Sequence, residues 1–182
     1  MKKTVLAITF MLILFIFCGC AKTEDNVILY NQRLDEFIEE YQEKNDVETI
    51  CGAISENEEV IAFENWEEFG IASFYIGGDT DDIKYDISIL PRNTESDKLM
   101  YTQIKGKNEY FIGIFLDDDV MVSKTESIKV IFEDQLKDKP YSIQQTLDGS
   151  NAQIISYDAE DMRSIKSIQL LNGDTEELYK ID

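Results

Sequence analysis

No histidine occurs anywhere in the 182-residue sequence. Its absence excludes Ser-His-Asp and Cys-His catalysis, removes the commonest general base, and takes away the usual zinc ligand. Cations are scarce too: 17 Lys and Arg stand against 37 Asp and Glu. A nucleic-acid backbone demands clustered Lys and Arg, so no nucleic-acid partner is expected. The chain also lacks a Cys-x-x-Cys pair, a glycine loop that could cradle phosphate, and a patch mixing basic with aromatic residues. What remains available is the chemistry of carboxylates, one tryptophan and apolar surface.

The N-terminus is the exception to the acidic rule. Lys2 and Lys3 precede an apolar run from Val5 to Phe17, interrupted only by Thr9, and Phe17-Cys18-Gly19-Cys20 closes it. That run suits the apolar region of a signal peptide and falls short of the roughly 20 residues a membrane-spanning helix needs. The segment resembles the lipobox signal of bacterial lipoproteins, with Phe17 where Leu is usual and Cys18 where Ala or Ser is usual. The resemblance implies that residues 1–19 are removed, that the Cys20 thiol carries a diacylglyceryl group, and that Cys20 becomes the N-terminus. It also implies an extracytoplasmic address, with the covalent lipid at Cys20 as the contact with the membrane. Two acyl chains hold stably where one holds only marginally.

Removal of residues 1–19 takes away Lys2 and Lys3 and leaves 15 basic against 37 acidic residues, a formal charge of −22. Such a chain is repelled by an anionic lipid surface; its charge reads first as a solvated acidic face and, as the alternative, as a preference for cationic partners. Cys51 becomes the one free thiol, so no intramolecular disulfide can form and the fold must rely on its core. Val47, Thr49, Cys51 and Ala53 alternate at strand spacing, which reads Cys51 as an inert, buried small residue.

Val27, Tyr30, Leu34, Phe37, Ile38 and Tyr41 recur at helical spacing and predict an amphipathic helix over 27–44, behind a short tether at 20–26. Asp25 or Asn26 is the expected cap, and Asn45-Asp46 the expected end. From Val47 the period becomes two. Strands are expected at 47–54, 59–64, 71–76, 83–89, 99–105, 109–116, 127–133, 141–147, 152–157, 164–171 and 176–181. Tyr110 to Leu116 is apolar on both faces and belongs at the centre of a sheet. Asn172-Gly173 reads as a two-residue hairpin turn. A single β-rich domain over 27–182 follows, mainly β, an antiparallel β-sandwich of which the immunoglobulin-like arrangement is one form. The alternative is an α+β fold with the helix packed on an antiparallel meander, the cystatin-like layout. Ser127 to Ile131 echoes Ser164 to Ile168, which raises two related β-units with a seam near 138–140.

Candidate site residues are few. Asp79, Asp81 and Asp82, and separately Asp117, Asp118 and Asp119, form acidic turns that could contribute to a cation site, although neither matches an EF-hand. Turn chemistry explains both clusters as well. Trp66 is the candidate aromatic for a ligand, a core or edge anchor being its alternative role. No catalytic residue and no resident metal or cofactor is expected, calcium being the one weighed. The functional expectation is a non-enzymatic surface module binding a protein, peptide or envelope ligand, a cationic one being among the options. A small carboxylate-dependent hydrolase and a calcium-stabilised structural module are the alternatives.

Intact-protein mass spectrometry is expected to find a mature chain starting at Cys20 plus diacylglyceryl, and no lipid adduct in Cys20→Ser. An unlipidated mature N-terminus elsewhere overturns the lipobox reading.

Overall fold

The computed structural model describes residues 21–55, 58–77, 82–92, 98–133, 141–158 and 162–182, with side chains of the first helix from Gln32 onward. Helix α1 spans Ala21–Asn45, and a single turn-and-a-half helix, α2, spans Asp119–Lys124. Eleven strands follow the order β1 Glu48–Ser55, β2 Glu58–Glu64, β3 Glu68–Gly77, β4 Asp82–Pro91, β5 Leu99–Lys105, β6 Tyr110–Leu116, β7 Ser127–Phe132, β8 Ser142–Thr146, β9 Ala152–Tyr157, β10 Ile165–Leu171 and β11 Glu177–Ile181. The fold is mainly β and sandwich-like. Its sheets are three, all antiparallel: β1-β2-β3-β4, β5-β6-β9 and β11-β10-β7-β8. None of the described helices is long and apolar enough to cross a membrane.

Layering follows from β6. All seven of its residues are buried. Tyr110, Ile112, Ile114 and Leu116 pack with Ile128, Val130 and Phe132 of β7 and Ile168 and Leu170 of β10. Phe111 and Phe115, on its other face, pack with Val60, Ala62, Phe69 and Ile71 of β2 and β3. The β5-β6-β9 sheet is therefore the middle layer. Gly113 marks the closest approach of β3, because a Cβ there would stand 3.1 Å from Ile71.

The outer face of the β1–β4 meander carries Ile61, Phe63, Ala72, Phe74 and Ile76, and α1 covers it with Leu34, Phe37, Ile38 and Tyr41. Edge-to-face contacts bind the two elements, with ring centroids 5.4 Å apart for Tyr41–Phe74 and 5.9 Å for Phe37–Phe74. The helix-on-meander arrangement thus forms one half of the sandwich.

The first two sheets are also tied by polar contacts. Glu58 is only 2% exposed, and its Oε1 accepts from Ser73 Oγ at 2.6 Å and from the Lys107 N–H at 2.8 Å. Gly106 leaves the room this needs, since a Cβ there would fall 2.2 Å from the same oxygen. Ser88 and Thr102 join β4 to β5 through their hydroxyls at 2.6 Å.

Four expectations need correction or relocation. The helix begins at Ala21 rather than 27, so 21–26 is helical instead of an extended tether, and Asp25 and Asn26 lie inside it rather than capping it. The apolar period marks only the part of a helix that packs, so it is silent about a first turn beyond the core. Helix α2 was not expected at all. The turn after β10 is longer than two residues: Asn172 Oδ1 accepts from the N–H groups of Asp174 and Glu176, and Thr175 rather than Gly173 takes the left-handed conformation (φ 63°). The two echoing segments pair with each other as β7 and β10 in one sheet, and the proposed seam at 138–140 lies outside the described residues.

Across the helix–sheet contact, burial and the neighbouring Asp35 carboxylate raise the pKa of Glu59 above its ordinary 4.5. A carboxyl raised by folding contributes stability fully below 4.5 and loses it as pH climbs through the folded value. Above that value the charge on Glu59 is a cost to the folded state. Glu59→Gln is expected to raise the melting temperature at pH 7 and to leave it nearly unchanged at pH 4. Thermal melts at both pH values check this; destabilisation at pH 7 contradicts it.

Candidate functional site

Trp66 sits at the tip of the β2–β3 hairpin and is 76% exposed. The turn beneath it is held by Asn65, whose Oδ1 accepts from the N–H groups of Glu67 (2.8 Å) and Glu68 (2.9 Å), while the Asn65 N–H donates to the Glu68 carbonyl at 3.0 Å. This Asx geometry is why Asn serves at the start of a tight turn. Arg92, just past β4, clamps the same turn. Its N–H donates to the Glu67 carbonyl at 2.7 Å, Nη1 to the Asn65 carbonyl at 3.0 Å, and Nη2 to the Glu64 carboxylate. The guanidinium lies over the Phe69 ring, 4.1 Å from its centroid. Asp117 Oδ2 stands 3.8 Å from its Nε, an ion pair without a hydrogen bond.

Facing this turn is the end of α1. Asp46 adopts φ 54° and the Val47 N–H returns to the Gln42 carbonyl at 3.2 Å, which is the Schellman closure of a helix. Val47 is buried beside Tyr41 in the same core, so the closure also has its hydrophobic contact. Asn45 Nδ2 caps the Tyr41 carbonyl at 2.7 Å. The sequence therefore ends the helix where expected, and the chain enters β1 with Glu48 turned to the same opening.

Between these two rims is a cleft of about 690 Å³ lined by Gln42, Glu43, Asp46, Val47, Glu48, Glu64, Asn65, Trp66 and Arg92. Four carboxylates border it against one guanidinium, and that guanidinium is already paired with Glu64 and Asp117. No ion pair of the described residues involves Glu43, Asp46 or Glu48. The result is a cleft of negative potential with an indole face at its edge, suited to a cation with some apolar character.

The sequence-derived candidates separate. Trp66 is in the cleft. Cys20, Asp79 and Asp81 lie outside the described residues. Asp82 is exposed at the start of β4, paired with Gly77, whereas Asp117 stands by Arg92 beyond the strand's other end, about 30 Å away. The two acidic clusters therefore do not share a site. Asp118 is the cap of α2: it accepts from the Val120 N–H (2.9 Å) and the Met121 N–H (3.0 Å), and Lys98 Nζ pairs with its other oxygen at 2.8 Å. The lysine first and these amides next hold its carboxyl below the ordinary value. Asp119 is exposed in the first turn. Among the described residues no three Asp, Glu, Cys or His side chains are gathered for a metal ion.

Two further groups bear on chemistry. Cys51 is half-buried against the core between the first two sheets, and burial, followed by the Asp148 charge, pushes its thiol up to about 11. It stays protonated and unreactive at neutral pH. The Asp35–Glu59 pair, the one place among the described residues where a carboxyl is pushed up, belongs to neither lined cleft.

Glu43, Asp46, Glu48, Glu64 and Arg92 had no signal in sequence, because each is an ordinary polar residue until the fold gathers it. Arg92→Ala removes the clamp under Trp66, and is expected to cost about 2 kcal/mol in urea unfolding and to lower Trp66 fluorescence anisotropy. Unchanged anisotropy would show that the Asn65 turn is rigid without it. No family model, curated protein or solved structure matches this chain.

Proposed function

We propose that the protein is a lipid-anchored, extracytoplasmic binding module, without catalytic activity, that takes a cationic ligand in the Trp66 cleft. The observation that carries this reading is Trp66 itself. A hairpin tip fastened by Asn65 and Arg92 holds a large aromatic side chain in solvent beside Glu43, Asp46 and Glu48, which form no ion pair among the described residues. An indole is costly to leave in water and is among the side chains that contribute most at interfaces. Glu43, Asp46 and Glu48 select the sign of the ligand, and the −22 charge of the processed chain extends that selection to longer range.

The helix gives the anchor and the cleft a relation. If lipid is attached at Cys20, α1 starts at the next residue and runs about 37 Å to the cleft at its other end. Such a helix is a stalk. It presents the cleft away from the bilayer, where a partner arrives from solution rather than from the lipid surface.

Trp66, the only tryptophan in the chain, is its own reporter. Titration with the tripeptide amide Lys-Lys-Lys is expected to change its fluorescence, with the response weakening as salt is raised. Trp66→Ala, followed by calorimetry, is expected to lose about 1–2 kcal/mol of binding. No response up to millimolar peptide, or an equal response to Glu-Glu-Glu, removes the proposal.

A further inference from the structure

Beside the cleft, along the same end of α1, runs a second depression of about 550 Å³ lined by Phe37, Glu40, Tyr41, Lys44, Asn45, Tyr85, Ile87 and Ile89. Its character is different. The floor is apolar, and Tyr85 and Ile89 remain 52% and 47% exposed. The walls are rigid, because Tyr85 rests against Phe37 and Phe74 with ring centroids 5.9 and 6.0 Å away, and both rings belong to or border the core under α1. No described segment of the chain covers it.

The two depressions adjoin on both elements. On the helix, Tyr41 and Asn45 line the groove while their chain neighbours Gln42 and Asp46 line the cleft. On the sheet, Ile89 lines the groove and Arg92, three residues on, lines the cleft. At strand spacing the cleft thus begins about 10 Å from Ile89 and about 23 Å from Tyr85.

We infer that the groove between α1 and β4 receives the apolar side chains of an extended basic peptide whose Lys or Arg enters the Trp66 cleft. This rests on the reading of the cleft as a cation site. The ligand motif that fits has its apolar residues three to seven positions from its cation. Charge decides among occupants. A second copy would bring another −22 chain against this one, and an anionic bilayer would meet the same repulsion. Glu40 and Lys44 balance each other at the groove, so the cleft supplies the sign of the partner and the groove supplies its apolar character.

The test uses three capped hexapeptides against the purified protein by calorimetry: Phe-Leu-Gly-Gly-Lys-Lys, Ser-Ser-Gly-Gly-Lys-Lys and Phe-Leu-Gly-Gly-Gln-Gln. The first is expected to bind at least about tenfold more tightly than either other, an advantage of more than 1.4 kcal/mol. The double variant Tyr85→Ser, Ile89→Ser is expected to reduce it to the level of the Ser-Ser peptide with circular dichroism unchanged; Tyr85→Ser alone serves if the double variant unfolds. Equal binding of the Phe-Leu and Ser-Ser lysine peptides, with no effect of the double variant, overturns the groove and leaves the cleft standing. Failure of every lysine peptide to bind overturns the cleft reading and this one with it. A dimer in sedimentation that the double variant dissociates overturns the peptide as occupant.

Discussion

Strand β6 cannot be left with either face in water. Tyr110 to Leu116 is apolar throughout, and every one of its residues is buried. One covering layer would leave half of these side chains exposed, at about 1.5–3 kcal/mol for each large one. Two covering sheets are therefore required, and the chain supplies one before β6 and one after it. The first of these has its own apolar outer face, which demands a further layer, and α1 is that layer. The sequence of layers ends only when a surface can be left in water.

It ends imperfectly. A helix is about 10 Å wide, whereas four strands spaced at about 4.8 Å are wider. Centred on the Phe63 and Phe74 strands, α1 leaves the outer side of β4 only partly covered. Tyr85 and Ile89 are apolar at positions that a broader layer would have buried. The same geometry brings the C-terminal end of the helix down beside the β2–β3 hairpin. Groove and cleft are both consequences of one narrow element on one wide sheet. The scaffold under them is stiff, since Glu58 at one end and Arg92 at the other fasten the first sheet to the second.

Much of the fold is legible in the sequence. All eleven strands stand near their expected positions, because alternation of side chains and turn residues are local signals that survive in a linear reading. The central place of β6 was legible for the same reason. Failures occurred where the signal was not hydrophobic. Residues Ala21 to Asn26 are helical without contributing to the apolar period, and α2 depends on the Asp118 carboxylate bonding two amides. In sequence Asp118 is one more member of an acidic turn; in the fold its oxygens are committed to the cap and to Lys98. Of the candidate residues among those described, Trp66 lines the cleft, and Asp117 reaches it only through Arg92.

By itself, then, the sequence determined the strands, the amphipathic helix, the doubly buried strand and the strongly acidic charge. These are properties of composition and of neighbours a few residues apart. Only the tertiary structure decided that Glu43, Asp46 and Glu48 meet Glu64, Trp66 and Arg92, and that Tyr85 and Ile89 are left beside them. Those residues come from the end of a helix, a hairpin tip and β4 with its far end, segments up to 49 positions apart. Their juxtaposition follows from which faces had to be buried, and burial is a property of the whole packed molecule.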